Sequence, residues 1–138
     1  MNYKVHHAVV IGAGTMGAAI AAHLANAGVT VKLLDIVPGE LTDDEKKQGL
    51  TLDDRAVRNR IVLQGLEAAR KSRPASFFTQ EHVNLISVGN LEDDFPIVAE
   101  TDWVIEVIVE NLEIKRDLMW RIDEIRSPET IVSTNTSG

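Results

Sequence analysis

Three glycines and one aspartate are the residues of this chain whose types and spacing point most directly to chemistry. Gly12, Gly14 and Gly17 follow the pattern G-x-G-x-x-G, and Asp35 stands eighteen residues after the last of them. Within a unit of about thirty residues this set suits a dinucleotide. The first glycine allows a tight turn, the second lets the backbone approach a pyrophosphate with no Cβ in the way, and the third lets the next helix pack closely. The N–H groups and positive dipole end at the start of that helix, over Ala13, Thr15 and Met16 and the glycines, make an anion site. Asp35 is placed to accept hydrogen bonds from both hydroxyls of the adenosine ribose. Ile36, Val37 and Pro38 bring no cation for a 2′-phosphate, so the expected cofactor is NAD rather than NADP.

A glycine-rich turn alone is weak evidence, and the elements around it decide its meaning. Ala8, Val9, Val10 and Ile11 form the apolar run of a parallel strand buried on both faces, stopping at Gly12. A helix follows, with Gly17, Ala21 and Ala25 four residues apart and Met16, Ile20 and Leu24 beside them, so one side can lie against strands. Gly28 is a C-terminal stop. Val29 to Leu34 gives a second strand, with the acid at its carboxyl end.

Val37 to Arg73 is richer in charge and reads as an inserted helical segment. Val57, Ile61, Val62, Leu66 and Ala69 mark one face of a helix from about Asp54 to Lys71, ended by Pro74. It is either a solvated cover for the sheet edge or an arm facing the substrate, and spacing does not choose. Leu85 to Val88 is a short strand, and Phe95 to Ala99 a short helix or turn. Trp103 to Val109 is a strong buried strand, followed by a helix carrying Leu118, Met119, Ile122 and Ile125, which Asn111 can cap and which Pro128 follows. Ile131 to Thr134 adds a last strand. The alternation predicts an α/β, Rossmann-type doubly wound sheet, mostly parallel, with helices on both faces, a helical insertion after the second strand, and ligands at the carboxyl ends of the strands.

Two further groups emerge at those ends: Glu110 with Lys115, and Asn135 with Ser137. They should share a cleft with the glycine turn, although a helix-start acid, a solvated lysine and a strand terminus would read the same way. The four histidines, His6, His7, His23 and His82, lack metal-ligand spacing and read as structural, so no metal is expected.

Bulk properties narrow the classes. At 138 residues, 44% hydrophobic and 25% charged, the chain is one ordinary globular domain. Its formal charge of −7 disfavours nucleic acid as a partner. It also repels an anionic cofactor, but screening over roughly 8 Å at physiological salt leaves the local donors in control. Apolar stretches are strand-sized, so no membrane insertion is expected, and a cytoplasmic protein is the default. With no cysteine, disulfides and thiolate chemistry are excluded.

Together, IGAGTMGAAIAAHLANAGVTVKLLD, DWVIEVIVENLEIK and IVSTNTSG resemble the NAD-binding domain of the L-3-hydroxyacyl-CoA dehydrogenases of fatty-acid β-oxidation. The insertion, with AVRNRIVLQGLEAARKSRPASFF, looks more like that of long bacterial chains in which the dehydrogenase is fused to an enoyl-CoA hydratase. The resemblance implies that Gly12 to Gly17 hold the pyrophosphate and Asp35 the adenine-side ribose. It also implies that Ile108, Val109, Glu110 and Lys115 border the nicotinamide-side ribose, that Asn135 lines the same cleft, and that Ser137 contacts both the substrate oxygen and the cofactor. In the family a histidine paired with a glutamate exchanges the hydroxyl proton. That histidine lies in a later H-F-F-x-P type motif, and a helical second domain completes the acyl-CoA cleft and the homodimer. Residues 1–138 are accordingly expected to be the NAD-binding fragment of a larger enzyme, binding NAD without turnover. Two alternatives are a dehydrogenase of the 3-hydroxyisobutyrate or 6-phosphogluconate kind, against which ENLEIK and STNTSG count, and a non-catalytic nucleotide-sensing module.

Overall fold

The first apolar run becomes the central strand of the molecule, and its two faces feed two separate cores. In the computed structural model, which describes residues 5–72, 80–108 and 112–134, this strand is β1, His7–Ile11. It is followed by α1 (Thr15–Asn26), β2 (Thr30–Asp35), α2 (Asp43–Lys47), α3 (Arg55–Arg58), α4 (Arg60–Ser72) and α5 (Gln80–Val83). Then come β3 (Ile86–Asn90), a 3-10 helix (Phe95–Glu100), β4 (Trp103–Glu106), α6 (Leu112–Ile125) and β5 (Ile131–Thr134). The five strands are parallel, in the order β3-β2-β1-β4-β5.

Because strand side chains alternate between faces, Ala8 and Val10 join Val31, Leu33, Ile105, Ala21 and Val62 in one core. Val9 and Ile11 join Leu34, Val104, Phe95, Leu118 and Ile122 in the other. Helices α1 and α4 therefore cover one face, and the 3-10 helix and α6 the opposite one. This is the doubly wound, Rossmann-type arrangement the sequence implies. The strand order reverses at β1 and β4, and there the chain leaves the two strands in opposite directions, opening a crevice at their carboxyl ends.

The small-residue stripe of α1 does its expected work, with Gly17, Ala18, Ala21, Ala22 and Ala25 buried. Ile20 and Leu24 pack against the same core. Met16 does not join them: it sits in the first turn, beyond the sheet, and is 55% exposed. The helix ends at Asn26, and Gly28 follows with φ +88°, the left-handed conformation a glycine stop supplies.

The insertion holds α2, α3 and α4. Thr42 and Glu45 form a reciprocal capping box at the start of α2. The single helix expected from Asp54 to Lys71 is instead broken at Asn59, whose backbone sits at φ −98°, ψ 10°. At this break the buried Asn59 side chain accepts from Asn90 Nδ2 at 2.8 Å. The apolar face survives the break, with Val57, Val62 and Ala69 all buried.

Strand ends also differ from the periodicity. β3 extends through Gly89 and Asn90, which pair with Leu34 and Asp35. β4 stops at Glu106 rather than Val109, because the Glu106 carboxylate accepts the Ile108 N–H and turns the chain. Val109 and the expected cap Asn111 lie outside the described residues.

Candidate functional site

The turn after β1 is held by contacts that explain two of its three glycines. Gly12 adopts φ +111°, and a Cβ there would stand 3.1 Å from the Val107 carbonyl group. A Cβ on Gly17 would stand 1.7 Å from the Gly12 carbonyl oxygen, so helix and turn touch backbone to backbone. Gly14 is different: among the described residues a Cβ there meets nothing within 4 Å. Packing against the described residues does not require a glycine there, and the backbone is left bare. Gly14 is also the N-cap of α1, no side chain caps the helix, and no acid stands in its first turn. Nothing negative in that turn competes with an anion for the helix dipole. Ala13, Thr15 and Met16 complete this segment.

Asp35 is the last residue of β2, half-buried beside the turn. Its Oδ2 accepts the Ala13 N–H at 2.8 Å and its Oδ1 the Ile36 N–H at 2.7 Å. A carboxylate has about four lone-pair sites, so both oxygens keep capacity for ribose hydroxyls. The acid and the glycine turn are thus one rigid unit. Beyond Asp35 opens a cavity of about 270 Å³ whose apolar lining is Ile36, Val37, Leu91, Ile114 and Leu118, with the charged Glu92, Asp117 and Arg121 also lining it. It suits a flat apolar ring. Arg121 is engaged elsewhere, donating to the Leu91 carbonyl at 3.0 Å with its guanidinium 4.2 Å from the Phe95 ring centroid. The sequence reading missed this slot, although Ile114, Asp117, Leu118 and Arg121 do recur at helical spacing.

Across the crevice the turn after β4 meets the glycine turn. Val107 N–H donates to the Ile11 carbonyl at 2.8 Å, and Ile108 N lies 3.3 Å from the place a Gly12 Cβ would occupy. Ile108 therefore stands beside the glycine turn. Lys115, in the first turn of α6, reaches Glu106, with Nζ 3.5 Å from Oε1. Spacing had grouped Lys115 with Glu110, and Glu106 was read only as part of a strand. Glu110, Val109, Asn135 and Ser137 lie outside the described residues. β5 leads to the same edge, where Thr134 is opposite Glu106.

The insertion touches the site from behind. A Cβ on Gly65, in α4, would stand 2.0 Å from the Ala13 carbonyl oxygen, so α4 packs on the glycine turn as well as over β2 and β3. Of the two readings of this helix, a sheet cover is the closer, with a seat on the cofactor turn that spacing did not reveal. The histidines lie elsewhere. His6 and His7 enter β1 and give their backbone N–H groups to Asp102, His23 is in the last turn of α1, and His82 precedes β3. All four are toward the amino ends of the strands.

A glycine turn, a half-buried carboxylate and an apolar slot stand together at one topological switch point, where open α/β sheets bind ligands, and a comparison of sequences gives the family. A family model described as 3-hydroxyacyl-CoA dehydrogenase, NAD binding domain, matches residues 7–138. The chain belongs to this family. Its cofactor is NAD. This 3-hydroxyacyl-CoA dehydrogenase domain is 48% identical over 138 residues to a probable 3-hydroxyacyl-CoA dehydrogenase of Bacillus subtilis, covering 100% of this chain and 18% of that one. It is 35% identical over 134 residues to the human mitochondrial hydroxyacyl-coenzyme A dehydrogenase, covering 97% of this chain and 40% of that one. Among solved structures, 3-hydroxybutyryl-CoA dehydrogenase from Escherichia coli superposes with a TM-score of 0.65 at 28% identity, over 98% of this chain and 25% of that one. The chain thus spans well under half the length of these relatives. The alternatives of a 3-hydroxyisobutyrate or 6-phosphogluconate type enzyme and of a sensing module are not favoured by these matches.

Proposed function

We propose that this domain presents NAD within an enzyme that oxidises L-3-hydroxyacyl-CoA to 3-oxoacyl-CoA in fatty-acid β-oxidation. The observation that carries the reading is the bare backbone at Gly14, joined through the Ala13 N–H to the carboxylate of Asp35, in a chain of this family. Gly12 to Gly17 hold the diphosphate, Asp35 the adenine-side ribose, and the slot beyond it the adenine. Ile108, Val109, Glu110, Lys115 and Asn135 border the nicotinamide half, and Ser137 orients the substrate oxygen. When bound, NAD supplies the hydride-accepting ring. The chain's own residues bind and orient. Its histidines sit toward the wrong edge of the sheet for proton transfer, which we assign to a histidine–glutamate pair elsewhere in the parent enzyme. We assign residues 1–138 as the NAD-binding fragment of that parent, a cytoplasmic homodimer whose helical second domain completes the acyl-CoA cleft.

Calorimetric titration of the chain with NADH and NADPH tests the reading. NADH should bind saturably and NADPH more weakly, and acetoacetyl-CoA should not be reduced by the chain alone. Absence of NADH binding, or a preference for NADPH, would overturn it.

A further inference from the structure

We propose that Glu106 is a positioning residue of the cofactor site, acting through Lys115; the inference rests on the NAD reading above. Glu106 is completely buried, and by strand alternation it shares the face of Val104, on which Val9, Ile11, Leu34, Leu118 and Ile122 form an apolar core. An apolar side chain would fill that place without the cost of desolvating a carboxylate. The acid is the last residue of β4, in register with Ile11, the residue that immediately precedes the glycine turn. It therefore stands at the switch point itself.

Its two oxygens have different tasks. Oε2 accepts the Ile108 N–H at 2.5 Å and shapes the turn that meets Gly12. Among the described residues Oε1 is buried without a hydrogen-bond partner, and it faces Lys115 Nζ at 3.5 Å. A buried acceptor left in this state needs a reason, and the lysine supplies one. Lys115 lies near the amino end of α6, where the helix dipole repels a cation, yet only 20% of its side chain is exposed. The carboxylate draws the ammonium inward to the crevice instead of letting it extend into solvent. At 3.5 Å the pair is longer than a good charge-assisted hydrogen bond, so the ammonium is oriented without being consumed. Its three protons remain available to a ribose or phosphate oxygen of the cofactor.

A double-mutant cycle on NADH affinity separates this role from a structural one. Glu106→Gln keeps an acceptor for the Ile108 N–H and removes the charge. NADH should bind about tenfold more weakly to it, as to Lys115→Met, the usual worth of a hydrogen bond to a charged group. Adding Glu106→Gln to Lys115→Met should weaken binding no further. Losses that multiply would overturn the proposal, because Glu106 would then act independently of the lysine. Unaltered affinity in Glu106→Gln would do the same. Should Glu106→Gln fail to unfold cooperatively, Lys115→Met alone decides, since wild-type affinity there leaves Glu106 nothing to act through. A wild-type chain that does not bind NADH removes the cofactor reading itself, an outcome distinct from all of these.

Discussion

A methyl group placed on Gly17 would stand 1.7 Å from the Gly12 carbonyl oxygen, whereas one placed on Gly14 would meet no atom of the described residues within 4 Å. The two glycines therefore fail differently. Gly17→Ala should lose the native turn and much of the folded population. Gly14→Ala should leave the melting temperature unchanged, since Gly14 has an ordinary extended backbone, while weakening NADH by at least about tenfold through its clash with the diphosphate, about 1.4 kcal/mol. Equal NADH affinity in Gly14→Ala would show that the diphosphate lies elsewhere. Asp35→Ala removes the ribose acceptor and leaves the Ala13 N–H without its bond. It should cost about 1.5–3 kcal/mol of NADH affinity, the range for hydrogen bonds to charged groups, and calorimetry would read this directly. These residues were legible in the sequence because their roles are local: a turn, a helix start and a strand end, each with its own signature. Glu106 was not. Inside WVIEVIV it reads as one polar interruption of a buried strand, and its importance comes from Lys115 in the next helix and from Ile11 in another strand.

Helix α4 shows why elements were less legible than the motif. Its apolar face is written in the sequence, but two features near it are long-range: the break before it at Asn59, whose side chain meets Asn90 thirty-one residues later, and its seat on the glycine turn, where Gly65 meets Ala13. A mid-helix glycine costs about 1 kcal/mol relative to alanine in helix propensity, and here the close approach to Ala13 offsets it. Periodicity reports which face is buried and not which neighbour fills it. Strands were read well wherever the ladder and the apolar run end together, as in Ile131–Thr134. They were misjudged where a side chain ends the strand early, as Glu106 does. Gly65→Val should push α4 away from Ala13 and lower stability by about 1–3 kcal/mol, the usual cost of overpacking. The displacement passes to the segment that holds the diphosphate, so NADH affinity should fall as well. Chemical denaturation and titration on the same variant check both effects, and full retention of either would detach α4 from the cofactor turn.

Across the whole molecule, carboxylates tie distant segments together, and their ties weaken in acid. Arg58, at the end of α3, donates to Asp93 after β3, with Nε 2.8 Å from Oδ2, and Asn90 Nδ2 donates to the same oxygen at 2.9 Å. The Arg58 bond first and the Asn90 bond second hold the Asp93 carboxyl down to about 2, below its ordinary value of 3.8. At the amino edge, the backbone N–H groups of His6 and His7 lower Asp102 in the same direction, joining the entry of β1 to that of β4. The unfolded chain takes up these protons at higher pH than the native one, so acid favours unfolding. The Asp93 contribution is fully present above the ordinary carboxylate value and fades as pH falls from about 4 to about 2. Asp93→Asn should therefore be less stable than wild type at pH 6, with the gap closing through that window. Denaturant unfolding at several pH values from 6 to 2 checks it, and a gap that stays constant would mean the carboxylate charge does not hold the insertion to the sheet. Near neutral pH neither Asp93 nor Asp102 titrates, so an NADH affinity measured there reports on the crevice without interference from these ties.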